Sequence, residues 1–377
     1  MRPEARCQRP KSGFSAGLLV WNDVFLIRDI ARKDLDDLQR AAAHLDSVNL
    51  PDDRAALTAI IERSQQSFAS VRGGGAGDLP VADRCFVFVA ADATSGEVVG
   101  TSMIFAQHGS RRAPHVFFDV LEEERYSETL DRHFAHRVLR IGYNYKGLTE
   151  IGGLVVRPEF RRHPEKLGRL LASVRFLYIA RHRGQFRDEV LSELMPPLEP
   201  DGTSLLWEAL GRKFTGLSYQ EADRLSQQNK EFIRALFPQD PLYAALLPTH
   251  VQELIGKVGP DTRGVEKMLR EVGFSYAHRI DPFDGGPHFQ ARTDDITLVQ
   301  ATRRARVAPS PPPADAALRP MLVARERTAP PYLLAVRTLG APPVRGTPAL
   351  LALPDEARRI LDITAGDEIA FLPLGVS

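Results

Sequence analysis

Cysteine, long apolar runs and an excess of charge of either sign are all scarce in this chain. Cys7 and Cys85 are the only cysteines among 377 residues, which excludes a disulfide scaffold and a four-cysteine zinc site and favours a reducing cytoplasm. The most apolar stretch, residues 170–180, is interrupted by Arg175. It falls short of the roughly 18 apolar residues that a membrane span needs, so we expect no membrane partner.

The charge is nearly balanced, with 49 basic and 48 acidic side chains and a formal net charge of +1. Such a balance gives no overall field that would attract nucleic acid, and we expect no nucleic-acid partner. The chain is 43% apolar and 26% charged, as in ordinary globular proteins. At about 150 residues per domain, its length predicts two domains and a smaller piece.

Proline marks one boundary near the C-terminus. The sequence APSPPPA covers 308–314, and further prolines follow at 330 and 331. Polyproline favours an extended spacer, so we predict a linker over 308–330 and a small β-rich module over 331–377. The N-terminus, 1–21, is basic and has only a short apolar stretch, so we predict a disordered tail and no signal peptide.

Apolar periodicity in the body predicts strands alternating with helices. The strands are expected at 24–30, 85–91, 98–107, 148–156 and 188–195, and the helices at 34–45, 54–68 and 165–182. Antiparallel strands followed by a helical crossover indicate a mixed α/β sheet with flanking helices.

The segment LVVRPEFRRHPEKLGRLLASVRFL, 154–177, combines a strand, a basic turn and a helix. The strand ends at Val156, the turn carries Arg161 and Arg162, and the helix begins near Gly168. A helix N-terminus exposes unpaired N–H groups that suit a phosphate, and arginines add charge-assisted contacts. The same pattern is typical of an ordinary solvated turn, so local chemistry leaves both interpretations open.

A wider set of motifs resembles a known family. The V-x-P-x-F-R-R turn, a glycine and LLAS resemble the acyl-CoA-binding turn of the GNAT N-acyltransferases. Across residues 22–375 the chain resembles the arginine N-succinyltransferases, through the ordered blocks NLPDDRAALTAIIERS, LTEIGGLVVRPEFRR, LLWEALGRKF, EFIRALFPQDPLY, IDPFDGGPHF and LLALPDEARRILDITAGDEIAFLPL.

The resemblance implies a GNAT-like fold and transfer of a succinyl group from succinyl-CoA to the α-amine of L-arginine, in bacterial arginine catabolism. It implies succinyl-CoA as a co-substrate, no permanently bound cofactor, no metal, a cytoplasmic location, and a homo- or hetero-oligomer. Helix–GF–strand order near 265–280 further predicts two GNAT-like halves, 22–200 and 201–307, with a splayed parallel strand pair near Leu154.

The family's succinyl-CoA-binding leucine matches Leu154. The resemblance implies that CoA lies along this strand and on the following turn, against Leu154, Val156, Arg161, Arg162, Gly168 and Arg169. The turn RRHPEKLG is longer than the family's glycine-containing turn, which puts its phosphate-binding geometry in question.

The family's proton-donor histidine is absent, because its position is Gly259 in LIGKVGP, and glycine cannot transfer a proton. A second family histidine is replaced by Tyr145. Tyr145, His250 and Glu150 are the candidate replacements. Their structural alternatives are an edge-strand tyrosine, an exposed helix-cap histidine and a surface carboxylate.

Two acids in the block IDPFDGGPHF, Asp281 and Asp284, could contact a guanidinium, although turn chemistry alone also explains them. His133 and His136 have the spacing of one helix face. We predict no metal there, because no third ligand is nearby.

Other functions stay open at this point. The acceptor could be ornithine, another amino acid or a polyamine, the donor could be acetyl-CoA, or the chain could be a weakly active partner subunit. The segment 350–374 also resembles the swapped-hairpin DNA-binding module of AbrB-type regulators. Its five acids against two bases make it a poor phosphate binder.

Overall fold

The structure is a computed structural model that describes residues 24–43, 50–72, 79–111, 113–341 and 349–375. The tail predicted at 1–21 and the end of the helix predicted over 34–45 lie outside these residues. Within them, no helix has the length and apolar character needed to cross a bilayer.

The described strands join one 15-stranded mixed sheet. They are β1 (Phe25–Asp29), β2 (Cys85–Asp92), β3 (Val98–Phe105), β4 (His115–Ser127), β5 (Arg132–Asn144), β6 (Thr149–Val156), β7 (Glu189–Glu193), β8 (Leu242–Tyr243), β9 (Ser275–Ile280), β10 (Pro287–Arg292), β11 (Arg303–Val307), β12 (Arg319–Glu326), β13 (Leu333–Gly340), β14 (Leu350–Leu351) and β15 (Glu368–Pro373).

The α-helices lie against this sheet and around its edge. They are α1 (Leu35–Ala42), α2 (Arg54–Val71), α3 (Leu167–Arg181), α4 (Arg212–Thr215), α5 (Tyr219–Gln228), α6 (Glu231–Leu236), α7 (Thr249–Gln252), α8 (Arg263–Glu271), α9 (Thr297–Ala301) and α10 (Asp355–Leu361). A π-helical turn, Trp207–Gly211, leads directly into α4. The predicted mixed α/β fold with flanking helices is confirmed.

The sheet order is β14-β11-β15-β12-β13-β1-β2-β3-β6-β7-β10-β9-β4-β5-β8. Strands β9 and β10, from the predicted second half, lie between β7 and β4 of the predicted first half. The boundary predicted at residue 200 is therefore not a boundary of the sheet, because hydrogen bonding continues across it.

The proline-rich segment contains more structure than predicted. Residues 319–326 form β12, which pairs with β13 and β15, so the linker predicted over 308–330 ends before this strand. The apolar run from Met321 to Ala324 is fully buried and outweighs the flanking prolines. The C-terminal module has its own core with α10, yet β13 continues the main sheet by pairing with β1 at Leu26↔Val336.

The hairpin of β4 and β5 was not predicted, because much of it beyond Phe118 is polar and only partly buried. His133 and His136 lie on β5. The helix face inferred from their spacing is therefore wrong, since consecutive strand residues point to opposite faces.

Helix α3 is the central helix of the body, and apolar residues surround it. Buried residues follow one another along most of its length, from Leu170 to Ile179, as expected for a helix that is covered on all sides. α1 contributes Leu38, and α2 contributes Leu57 and Ile61, to a separate cluster of buried residues.

The parallel strands β6 and β7 separate soon after they begin to pair. They are in register only at Thr149↔Val190 and Glu150↔Leu191, while β6 continues to Val156 against β3. Gly153 has φ +55°, and a Cβ there would lie 2.8 Å from the Met103 side chain, so this bend requires glycine. The splayed parallel pair predicted near Leu154 is present, and its gap is called here the β6–β7 opening.

Candidate active site

A polar cavity of about 880 Å³ lies beside the β6–β7 opening. Its wall includes Glu150, the last residue of β6 that pairs with β7, and the end of β7 at Glu193. Seven carboxyl groups line it against two permanent cations, and it is called here the acidic pocket. These residues are Asp52, Asp53, Glu150, Glu193, Asp223, Asp281 and Asp284, with Arg224 and Lys230.

A second cavity, of about 300 Å³, lies between α3 and α8 and is closed by the C-terminal module. It is called here the helix cavity. Most of its wall is apolar, and its lining includes Arg169, Leu170, Arg175, Phe176, Val265, Leu269, Arg337 and Leu374. Together the two cavities provide one polar and one largely apolar chamber.

His108 and Glu150 form a close pair in the acidic pocket. His108 Nδ1 lies 2.5 Å from Glu150 Oε2, and the Glu150 side chain is only 3% exposed. Burial lowers the pKa of His108, but the charge and hydrogen bond of Glu150 outweigh it, so the net pKa is raised. Glu150 is therefore not the surface carboxylate considered as its structural alternative.

The backbone places His108 in this position through a close contact. His108 N–H donates to the Leu148 carbonyl at 2.7 Å, and Gly147 lies so close to the His108 carbonyl that any Cβ there would clash. Gly147 belongs to the sequence NYKG, in which the family's second histidine is missing. The structure thus brings a different histidine against that segment.

Two further histidines surround the Glu193 carboxylate. His115 Nε2 lies 3.1 Å from Glu193 Oε1 and His288 Nε2 lies 3.4 Å from it. Burial lowers the pKa of His115 to about 3 and also lowers the pKa of His288. Burial opposes the charge of Glu193, but the facing histidines keep its pKa well below the usual range.

Asp281 and Asp284 line the acidic pocket from the turn between β9 and β10. Asp281 accepts a hydrogen bond from Phe283 N–H at 2.7 Å, and Asp284 accepts one from Gly286 N–H at 2.7 Å. Burial and then the charge of Glu193 raise the pKa of Asp281 to about 7. Burial and the neighbouring Asp281 raise the pKa of Asp284 well above its usual value. A cation bound between the two acids would therefore stabilise their ionised forms.

Two groups of side chains in this region have the chemistry of metal ligands. His108, His115 and Glu193 form one group, and Glu193, Asp281 and His288 form the other, each with ligand atoms within 4.8 Å of one another. Nitrogen and carboxylate oxygen donors suit a divalent transition metal.

The residues predicted to contact CoA lie along one path at the other side of the opening. Leu154 and Val156 are half-buried on β6, beyond its pairing with β7. Arg161 and Arg162 are exposed in the turn, where Arg161 Nε donates to the Val156 carbonyl at 3.0 Å.

Gly168 and Arg169 lie in the first turn of α3. Arg169 lines the helix cavity and bonds Glu271 at 3.2 Å. All six predicted CoA contacts therefore lie on β6, the basic turn or the start of α3.

Two of the predicted catalytic side chains lie away from the acidic pocket. Tyr145 is 40% exposed just after β5, and His250 is exposed on the short helix α7. Gly259 lies behind the pocket wall, where its N–H donates at 2.8 Å to the carbonyl of Met195, a lining residue. A Cβ at Gly259 would lie 2.6 Å from the Pro196 carbonyl oxygen, so this backbone has no room for a histidine.

Sequence reasoning missed His108, His115, Glu193 and His288. Glu193 and His288 lie far from His108 and His115 in the chain, and pairing of β7 with β10, His288↔Glu193, brings two of the four together. The available signal was that His108 and Glu193 fall at the ends of predicted strands, where functional side chains often occur.

Known proteins of one family are similar to this chain. A family model described as "Arginine N-succinyltransferase beta subunit" matches residues 25–298. An arginine N-succinyltransferase of Escherichia coli O17:K52:H18 is 30% identical over 292 residues, 77% of this chain and 82% of the relative. One of Citrobacter koseri is 31% identical over 287 residues, 75% and 80% of the two chains.

The chain belongs to the arginine N-succinyltransferase family. The resemblance inferred from the sequence blocks is confirmed. A solved structure described as arginine/ornithine succinyltransferase subunit AI from Pseudomonas aeruginosa superposes with a TM-score of 0.77 at 28% identity, over 94% of this chain and all of that one. Family membership makes the chain an acyltransferase.

Proposed function

We propose that this chain transfers the succinyl group of succinyl-CoA to the α-amine of L-arginine. The observation that carries the proposal is the acidic pocket at the β6–β7 opening, with Glu150 at the last position of β6 that pairs with β7. A splayed pair offers backbone groups to a thioester, and the pocket beside it offers negative charge to a cationic acceptor.

The acceptor's guanidinium is expected at Asp281 and Asp284. Two carboxylates can meet a planar guanidinium with charge-assisted hydrogen bonds. Both acids have raised pKa values in the free protein, and a cation between them lowers both values, because its charge opposes the carboxylate repulsion that adds to the effect of burial. Lys230, also in the wall, is the candidate partner for the amino acid's carboxylate.

His108 is our candidate for the proton transfer that Gly259 cannot perform. The α-ammonium of the acceptor must lose a proton before it attacks the thioester carbonyl. With Nδ1 held by Glu150 at 2.5 Å, the Nε2 atom of His108 is left to accept that proton. The resulting imidazolium can then return a proton to the departing CoA thiolate.

The donor is expected on the other side of the opening. Beyond Glu150 the β7-facing edge of β6 has no strand partner in the described sheet, so its N–H groups can stabilise the oxyanion of the tetrahedral intermediate. The CoA chain would follow Leu154 and Val156, and its phosphates would meet Arg161, Arg162, Gly168 and Arg169.

The remaining features are proposed on the same basis. Succinyl-CoA is a co-substrate that leaves as CoA, and the two cysteines and the acyl-CoA donor suit the cytoplasm. A homo- or hetero-oligomer and the absence of a nucleic-acid partner stay predictions. β15 pairs on both edges within this chain, with β11 and β12, which does not favour a hairpin exchanged between chains.

The test is a thiol-release assay that crosses succinyl-CoA and acetyl-CoA with arginine, ornithine and citrulline. Citrulline has nearly the shape of arginine without its charge, so it is the matched control for the acidic pocket. We expect release with arginine and little with citrulline. Equal rates with arginine and citrulline, or no release with any cationic amine, would contradict the proposal.

A further inference from the structure

Arg175 is a buried arginine at the centre of α3. Its side chain is 3% exposed and lines the helix cavity. Its guanidinium makes two long hydrogen bonds, 3.5 Å from Nε to the Ala172 carbonyl and 3.5 Å from Nη1 to the Gly152 carbonyl, and lies 5.9 Å from the centre of the Phe176 ring. Among the described residues, no carboxylate lies within ion-pair distance of it.

The neighbouring arginines of the helix cavity differ in this respect. Arg169 bonds Glu271 at 3.2 Å, and Arg337 lies 3.1 Å from Glu165. Arg175 is the most buried of the three and has no such partner in the described part of the chain. The positive charge at this site is therefore uncompensated by the protein.

A buried cation without a counter-ion is unfavourable, and apolar replacements of buried charges are often neutral or stabilising. Burial lowers the pKa of the Arg175 guanidinium to about 9, which still leaves it charged at neutral pH. Packing of α3 thus gives no reason for an arginine here. An anionic ligand that contacts the guanidinium would explain why an arginine is present at this position.

The position of the guanidinium identifies that anion. Gly152 lies on β6 just beyond Glu150, its last residue in register with β7, so Arg175 reaches the β6–β7 opening where the thioester is proposed to bind. In a succinyl thioester the free carboxylate is three carbon–carbon bonds from the reacting carbonyl. We propose that Arg175 binds the free carboxylate of the succinyl group and so selects a dicarboxylic acyl donor.

This inference rests on the proposed function, because it assumes an acyl-CoA at the opening. A guanidinium also binds phosphate, so a phosphate of CoA is the competing source of the same oxyanion chemistry. The two sources differ in one respect that can be measured. A phosphate contact affects every CoA derivative equally, whereas a contact with the acyl carboxylate affects succinyl-CoA alone.

The experiment compares succinyl-CoA with butyryl-CoA, which has the same chain length and an uncharged end. The variants are Arg175→Met, Arg175→Lys as a variant that keeps the charge, and Arg337→Gln as a control arginine of the same cavity. For each, the ratio of kcat/KM between the two donors is measured with arginine. Calorimetry with both donors and with free CoA provides the same ratio without turnover.

We expect the wild type to prefer succinyl-CoA and Arg175→Met to lose at least about tenfold of that preference, as for other charge-assisted contacts. Binding of free CoA should be unchanged, Arg175→Lys should keep part of the preference, and Arg337→Gln should keep all of it. Arg175→Met should melt no lower than the wild type. A merely structural role would lower the melting temperature without changing the donor ratio.

An unchanged donor ratio, or an equal loss for succinyl-CoA, butyryl-CoA and free CoA, would overturn the inference. If the wild type releases no thiol from any donor, the proposed function fails. The calorimetric ratio then decides the inference independently. If the wild type turns over but Arg175→Met keeps its preference for succinyl-CoA, only the inference fails.

Discussion

Replacing His108 with glutamine tests the proposed proton transfer most sharply. The side chain can still donate a hydrogen bond towards Glu150, 2.5 Å from His108 Nδ1 in the wild type, but it can no longer carry a proton. General acid–base catalysis contributes about 10²–10⁴ in rate, which corresponds to roughly 2.7–5.5 kcal/mol of transition-state stabilisation. We therefore expect kcat to fall by that factor while the fold is retained.

The pH dependence gives an independent signature. The Glu150 carboxylate helps to raise the pKa of His108 against the effect of burial, and His108 must be neutral to accept a proton. Activity should therefore rise with pH through a value above 6.5, the ordinary pKa of histidine. Glu150→Gln removes the negative charge, so this rise should move to lower pH.

The assay is initial-rate thiol release with succinyl-CoA and arginine between pH 5.5 and 9. His250→Gln and Tyr145→Phe are the matched controls, because both side chains are exposed and lie away from the acidic pocket. Both controls should retain near wild-type rates. Full activity of His108→Gln, or a large loss in either control, would refute the assignment of His108.

Three sets of substitutions and one change of pH also have defined outcomes. Gly259→His should destabilise the fold by about 1–3 kcal/mol in denaturant unfolding, because its Cβ would lie 2.6 Å from the Pro196 carbonyl oxygen; unchanged stability with faster turnover would contradict this. Arginine affinity should rise as pH passes through about 7, the pKa of Asp281, since that carboxyl must ionise. Asp281→Asn should weaken arginine binding, and equal arginine affinity by calorimetry would argue against this site. The variant should nevertheless melt at a higher temperature than the wild type at pH 8. The reason is that a carboxyl whose pKa is raised in the folded protein destabilises the fold at any pH above its pKa in the unfolded chain. Arg161→Ala with Arg162→Ala should weaken CoA binding more than tenfold, since each phosphate contact contributes about 1.5–3 kcal/mol, and unchanged calorimetric affinity would place the phosphates elsewhere.

Local patterns predicted the elements that are rich in apolar residues. β6 and α3 are of this kind, and the structure has them at Thr149–Val156 and Leu167–Arg181, close to the expected ranges. β12 was missed because prolines on both sides suggested a spacer, although burial of Met321–Ala324 decides the conformation. The β4–β5 hairpin was missed because its polar outer part has no apolar alternation.

The candidate site could be predicted only where its residues lie in recognisable blocks. Glu150, Asp281 and Asp284 belong to such blocks, and the structure brings all three to the acidic pocket. His108 and Glu193 depend on strand pairing between distant segments, which the spacing of residues in the chain does not reveal. The sequence showed the glycine at position 259, but it did not indicate His108, the residue now proposed for the proton transfer.

A crystal structure of the dead-end complex with CoA and arginine is the most direct test of a cationic acceptor bound beside a splayed acyl-CoA site. We expect the guanidinium at Asp281 and Asp284, the α-amine within hydrogen-bond distance of His108 Nε2, and the CoA thiol at the β6–β7 opening near Gly152. Arginine bound outside the acidic pocket, or a CoA thiol far from β6, would contradict the account.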